Sequence, residues 1–200
     1  MKKKITVPEI MATKQNGRKL AMVTCYDYTS ATLVNESEIE LILVGDSLGM
    51  TMLGYEGTVG VTVDDVIHRG KSVKRGAPQT FIIGDMPFGS YNVSVEQGII
   101  NANRMFTEIG CDAIKLEGGK RSAAVIKGIV EAGIPVCGHI GLTPQTSSMM
   151  GGFKVQGKSM EAVERLLEDA KAIEEAGAFM VMVEGVPTAV TTYLKERINI

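Results

Sequence analysis

Four stretches of this chain run through apolar residues and stop on an acid. Leu41-Ile42-Leu43-Val44-Gly45 leads into Asp46, and Phe81-Ile82-Ile83-Gly84 into Asp85. Ala113-Ile114-Lys115-Leu116 leads into Glu117, and Phe179-Met180-Val181-Met182-Val183 into Glu184. Apolar runs of this length, bounded by Gly and Pro, are the pattern of strands covered on both faces. In an α/β barrel the C-terminal ends of such strands converge on one face, where catalytic groups sit. Four carboxylates gathered there repel one another unless a cation or a shared proton relieves them. The pattern therefore predicts a metal-assisted acid/base site.

Strand-like runs alternate with longer stretches of helical period along the whole chain. Strands are expected over 20–27, 41–46, 81–85, 113–117, 135–140 and 179–184. Helices are expected between and after them, over 29–36, 63–75, 95–109, 123–131, 160–175 and 188–197. The helix over 160–175 is the clearest, with Ala162, Val163, Leu166, Leu167, Ala170 and Ile173 on one stripe and charged residues opposite. Gly110, Gly133 and Gly177 sit where a helix must end before the next strand. Strict βα alternation means a parallel sheet with right-handed crossovers. Six βα units are present, and the sequence reads as a TIM (β/α)8 barrel truncated after the sixth, a single domain over 1–200. At roughly 30 residues per unit, about 60 residues are wanting, and the first and sixth strands are expected to have unpaired edges. An open doubly wound sheet is the alternative that needs no further strands.

Composition narrows the function classes. A net charge of −2 over 200 residues gives no reason to expect nucleic acid or an anionic membrane as partner. No run approaches the roughly 18 apolar residues of a membrane span, and Met1-Lys2-Lys3-Lys4 is not followed by the apolar segment of a signal peptide. Cys25, Cys111 and Cys137 are odd in number, widely spaced and set in or beside apolar runs. They read as buried, reduced thiols of a cytoplasmic protein. There is no C-x-x-C, and 2 histidines are too few for a His-rich zinc site.

The neighbours of the acids sharpen the chemistry. Gly45 before Asp46 and Ser47-Leu48-Gly49 after it allow close approach of backbone and ligand. Pro87 ends the run at Asp85. Mg²⁺ takes one or two carboxylates, waters and substrate oxygens, an arrangement that two strand-end aspartates suit. Lys115 and Glu117 lie two residues apart in one strand and so point to the same side. Lys115 is read as a clamp for a substrate carboxylate, with an ion pair to one of the acids or a Schiff-base nucleophile as alternatives. Burial of Glu184 is expected to raise its pKa toward that of a general base. His139 either bonds a substrate oxygen or is a satisfied core histidine. The segment Gly152 to Ser159 fits G-x-x-x-x-G-K-[ST], but no strand leads directly into it, so a nucleotide site is set aside. It reads better as a mobile flap, with Lys154 or Lys158 meeting an anionic substrate.

Five motifs together resemble one family. Leu43-Val44-Gly45-Asp46-Ser47-Leu48-Gly49-Met50, Gly84-Asp85-Met86-Pro87-Phe88, Lys115-Leu116-Glu117-Gly118-Gly119, the run from Gly138 to Gln145, and the run from Gly151 to Gly157 are similar, in order and spacing, to the ketopantoate hydroxymethyltransferase family. The resemblance implies a TIM barrel of pantothenate biosynthesis. Such an enzyme transfers a one-carbon unit from 5,10-methylenetetrahydrofolate to 3-methyl-2-oxobutanoate through a Mg²⁺-stabilised enolate, giving 2-dehydropantoate. It further implies Asp46 and Asp85 as magnesium ligands, with Glu117 completing the site through water. Asp46, Ser47, Asp85, Lys115 and His139 would line the ketoacid site, and Glu184 would be the catalytic base. Homo-oligomers, decamers in this family, are implied as well. Two positions depart from the family pattern: Ser37-Glu38 where a Gly is usual, and Arg69 where a His is common. Two competing readings remain. One is a Mg²⁺-dependent 2-oxoacid lyase or mutase of the phosphoenolpyruvate mutase type, which usually carries a catalytic Cys on a loop. The other is an inactive truncated fragment.

Overall fold

The structure is a computed structural model and describes residues 2–200. Six strands form one sheet: β1 (Met22–Thr24), β2 (Leu41–Val44), β3 (Phe81–Asp85), β4 (Ala113–Glu117), β5 (Val136–Gly141) and β6 (Met180–Glu184). Every pairing is parallel and the spatial order is β1-β2-β3-β4-β5-β6. A doubly wound sheet reverses its strand order at a switch point. No reversal occurs here, so each crossover steps the same way round and the helices gather on one face.

The sheet also curls. Phe81 at the start of β3 and Phe179 just before β6 stack edge-on with ring centroids 6.1 Å apart. Three strand spacings on a flat sheet would separate them by roughly 14 Å. Inside the curl Leu41, Leu43, Phe81, Ile83, Ala113, Cys137 and Phe179 make a compact cluster. Their alternating neighbours Ile42, Val44, Ile82, Ile114, Leu116, Val136 and Ile140 face outward into the larger core against the helices. The fold is thus α/β with six parallel strands in a barrel-like arc.

Eight α-helices accompany the strands: α1 (Val7–Asn16), α2 (Tyr28–Glu36), α3 (Leu48–Met52), α4 (Val63–Gly76), α5 (Val95–Ile109), α6 (Ala123–Glu131), α7 (Met160–Glu175) and α8 (Thr188–Lys195). Side-chain caps fix the starts of three long helices: Thr62 with Asp65 on α4, Ser94 on α5 and Ser159 on α7. After α5, Gly110 takes the left-handed conformation (φ 71°) that lets the chain turn into β4. Close seating matters as much as capping. A Cβ on Gly138 in β5 would lie 2.5 Å from Ile173 Cγ2 of α7, so the absence of a side chain is what lets this helix settle on the sheet.

Several expectations need adjusting. β1 is only three residues long rather than the eight of 20–27, as befits a half-exposed edge. The last helix stops at Lys195, two residues before Arg197. Two helices were not expected at all. α1 has one buried residue, Ile10, and hence no apolar stripe; it starts on a capping box of Thr6 and Glu9 and puts Ile10 into the inner cluster. α3 is a single short turn that reads as loop because of Gly49. Ser37 does not disturb the turn where the family has Gly, because it closes α2 with extended backbone (φ −89°, ψ 177°) that needs no glycine. Among the described residues no helix is long and apolar enough to cross a membrane.

Candidate active site

The inner rows of β3, β4, β5 and β6 are apolar in their first half and polar or charged at their end. Continuing in steps of two, Phe81 and Ile83 lead to Asp85, Ala113 leads to Lys115 and Glu117, and Cys137 leads to His139. On β6 the row Met180 and Met182 leads to Glu184. The registry of the parallel strands sets Asp85 beside Lys115 and Glu117 beside His139. Asp46 and Ser47 join from the turn after β2. One cleft of about 510 Å³ is lined by all seven sequence-derived candidates: Asp46, Ser47, Asp85, Lys115, Glu117, His139 and Glu184.

Several of these side chains have a definite hydrogen-bond partner, and His139 does not. Lys115 Nζ donates to Asp85 Oδ1 at 2.7 Å, and both groups are buried. The ion pair weighed from the sequence is therefore present. Ser47 Oγ shares a hydrogen bond of 2.5 Å with the Tyr26 hydroxyl. His139 lies between two acids, Nδ1 3.6 Å from Glu117 Oε1 and Nε2 3.2 Å from Glu184 Oε2. The first contact is too long for a hydrogen bond and the second is not aligned for one, so both buried ring nitrogens lack a hydrogen-bond partner. This is not the satisfied core histidine of the blander expectation.

Burial and crowding set the charges. Burial first, then the charge of Asp85, pushes the Asp46 carboxyl up to about 7, against the pull of Lys115. Burial raises Asp85 as well, with Lys115 opposing. For Lys115 burial works against the ammonium, but Asp85, Asp46 and Glu117 outweigh it and its pKa is raised. His139 is likewise disfavoured as a cation by burial and by Lys115, yet Glu117 and Glu184 raise it. Glu184 corrects the sequence expectation. It is only half-buried, and its pKa is lowered, because the favourable contact with His139 exceeds the effect of desolvation.

The donor set suits a hard divalent cation. Four carboxylates face one ammonium and one imidazole, and carboxylate oxygens are the ligands such ions take. A Cβ on Gly45 would lie 3.1 Å from Asp85 Oδ2 and 3.4 Å from Ser47 Oγ, so this glycine keeps the space between the two aspartate-bearing turns open. No group of three or more His, Cys, Asp or Glu side chains among the described residues is gathered into a ready-made metal cage.

Two participants were not foreseen. Gln145, in the 3-10 helix Pro144–Met150 that follows β5, donates from Nε2 to Asp46 Oδ2 at 2.8 Å and from its backbone N–H to Glu117 Oε2 at 3.2 Å. Tyr91 donates to Gln145 Oε1 at 2.6 Å. The sequence carried both residues, but nothing in their spacing joins a loop Gln to an acid 99 positions away. Lys154 and Lys158 do not line the cleft; Phe153 of the same loop does. The nucleotide-loop pattern has no strand before it, and its Ser159 is spent capping α7. Cys25, Cys111 and Cys137 are free, buried and away from the cleft lining, and burial pushes the thiols of Cys111 and Cys137 up to about 12. A second cleft of about 410 Å³, between the edges of β1 and β6 and against α1, is lined by no acid or histidine and offers no comparable chemistry.

Comparison with known proteins gives concordant results. The family model described as ketopantoate hydroxymethyltransferase matches residues 4–200. A 3-methyl-2-oxobutanoate hydroxymethyltransferase of Heliobacterium modesticaldum is 56% identical over the whole chain, which spans 72% of that relative. The protein of the same name from Alkaliphilus metalliredigens is 48% identical over the whole chain, which spans 71% of it. Among solved structures, a putative phosphonomutase from Burkholderia cenocepacia superposes with a TM-score of 0.73 at 16% identity, covering 91% of this chain and 75% of that one. A phosphonopyruvate hydrolase in complex with oxalate and Mg²⁺ gives 0.69 at 12% identity, covering 95% and 68%. At such identities these structures speak for the fold alone.

Proposed function

Because the chain belongs to the ketopantoate hydroxymethyltransferase family, we propose that it transfers a hydroxymethyl group from 5,10-methylenetetrahydrofolate to 3-methyl-2-oxobutanoate at the cleft formed by the strand ends. The observation that carries the assignment of the site is the convergence of Asp46, Ser47, Asp85, Lys115, Glu117, His139 and Glu184 on one cleft. Closure of the six-stranded arc into a full eight-stranded barrel, and assembly into homo-oligomers, belong to the same reading.

Asp46 and Asp85 would hold Mg²⁺ directly, with Glu117 outside them. When bound, the ion supplies Lewis-acid polarisation of the ketone and offsets the charge of the ketoacid carboxylate. The remaining work falls to the chain. Lys115, held beside Asp85, presents a fixed positive charge to the developing oxyanion. Ser47, oriented by Tyr26, offers its hydroxyl to the ketoacid. Glu184 removes the proton from the β-carbon. Its lowered pKa keeps it ionised before substrate arrives. Substrate then covers this half-exposed carboxylate, and desolvation increases its proton affinity. His139, 3.2 Å away, steadies the carboxylate and disperses its charge. The β-carbon, left with the electron pair of the broken C–H bond, forms its new C–C bond to the folate methylene carbon as one C–N bond of the folate opens; water then takes the place of the second folate nitrogen on that carbon, its hydroxyl completing the CH₂OH group and its proton leaving with tetrahydrofolate.

The buried cysteines, none of them lining the cleft, weigh against the lyase or mutase alternative, which usually carries a catalytic Cys on a loop. The test is product formation. The purified chain should convert 3-methyl-2-oxobutanoate and 5,10-methylenetetrahydrofolate to 2-dehydropantoate, with Mg²⁺ required. Turnover of the ketoacid by C–C cleavage without folate would support the lyase instead.

A further inference from the structure

One residue of the loop after β5 holds two of the three acids proposed to gather around the cation. Gln145 is buried, and both polar atoms of its side chain and its backbone N–H are hydrogen-bonded. Its two amide protons go from Nε2 to Asp46 Oδ2 at 2.8 Å and to the Met86 carbonyl at 2.9 Å. Its Oε1 accepts from the Tyr91 hydroxyl at 2.6 Å, and its backbone N–H donates to Glu117 Oε2 at 3.2 Å. Tyr91, itself buried, accepts from the Glu117 N–H at 3.2 Å and lies 3.3 Å from the Glu117 carbonyl. The orientation of the amide is forced. Turned over, Oε1 would face the Asp46 carboxylate and the Met86 carbonyl, both acceptors, while Nε2 would face the hydroxyl that now donates to Oε1.

We infer that Gln145 is a positioning residue for the divalent-cation site, locked in its orientation by Tyr91; the inference rests on the magnesium reading above. Gln145 engages Asp46 Oδ2 and Glu117 Oε2; among the described residues no hydrogen bond is made to Asp46 Oδ1, and Glu117 Oε1 faces only His139 Nδ1, at 3.6 Å. Two carboxylates on different strand ends are thereby set before any ion arrives, and the ion does not have to order them. Without the amide, Asp46 is free to turn toward the nearby Lys115 ammonium, which already attracts it. Outer partners of this kind typically change metal affinity by about 10–100-fold. The same bonds tie the 3-10 helix Pro144–Met150 to the site, so binding of the cation and seating of this loop are coupled.

The test is calorimetric titration of the full chain with MgCl₂, alongside Gln145→Met, which keeps volume and backbone N–H but removes the amide, and Tyr91→Phe, which keeps the amide but removes the lock together with the acceptor of the Glu117 N–H. The Gln145→Met dissociation constant for Mg²⁺ should rise about 10–100-fold, and that of Tyr91→Phe roughly 3–10-fold. Urea midpoints measured in parallel separate positioning from packing: a merely structural role lowers the midpoint and leaves the Mg²⁺ affinity of the folded protein alone. Affinities within twofold of the parent in both variants overturn the inference. If Gln145→Met does not fold, the Tyr91→Phe affinity decides in the same sense. A parent chain that takes up no Mg²⁺ overturns the cation reading and this inference with it.

Discussion

Replacing Lys115 by Met should expose how the cleft tolerates its acids. The ammonium is the one fixed positive charge within hydrogen-bonding reach of Asp85, at 2.7 Å, and their side chains are only 4% and 2% exposed. Methionine matches the length of the stem, so little packing is lost; what is lost is the counter-charge. Asp85 would then be buried beside Asp46 and Glu117 with only the weaker influence of His139 to balance it. Removing one partner of such a pair costs about 3–5 kcal/mol, far more than the pair contributes relative to an apolar replacement. For a chain of this size each kcal/mol moves the melting temperature by about 2–4 °C, so Lys115→Met should melt roughly 6–20 °C lower. Adding Asp85→Asn removes the orphaned charge, and the double variant should regain most of the loss. The assay is urea unfolding followed by circular dichroism in metal-free buffer at neutral pH. Lys115→Met within about 1 kcal/mol of the parent would refute the reasoning, as would a double variant whose loss equals the sum of the two single losses.

Other consequences can be checked independently. Gly138→Ala should cost about 1–3 kcal/mol by forcing a methyl against Ile173, and combining it with Ile173→Ala should cost less than the two separately, as read from urea midpoints. Cys111 and Cys137, with thiols pushed up to about 12, should resist a thiol-specific reagent at neutral pH until the chain is unfolded; rapid native labelling of either would contradict their burial. The Asp65 carboxyl is held below its usual range by its bonds to Thr62. A depressed folded value means its stabilising effect is complete above the unfolded pKa of about 3.9 and is lost as pH falls through the folded value. The stability gap between the parent and Asp65→Asn should therefore close on acidification below about pH 4, and a gap that widens there would be the wrong sign.

The legible and illegible parts of this protein divide on physical lines. α5, α6, α7, β3 and β4 were recovered to the residue because period and punctuation agree: an apolar stripe or run, a Ser or Thr cap where a helix starts, a glycine where a helix must turn. The step-of-two row that ends in Asp85, Lys115 and Glu117 could be read because a strand alternates faces whatever surrounds it. α1 was missed because its single buried residue leaves no period to detect. Gln145 was missed because its role depends on a loop folding back over a turn that lies 99 residues earlier. The pKa of Glu184 was expected to rise from the apolar run before it, but that run says nothing of His139 on the neighbouring strand. Local pattern thus reports which face a residue takes; what it meets there depends on strand order and on loops.

The most direct test of the account is exchange of the β-proton of 3-methyl-2-oxobutanoate in D₂O, without folate, followed by proton NMR. The account predicts exchange that requires Mg²⁺, stops on chelation and falls by about 10²–10⁴-fold in Glu184→Gln. Exchange by Glu184→Gln at the parent rate would contradict the assignment of the base, and exchange that continues under chelation would contradict the cation site.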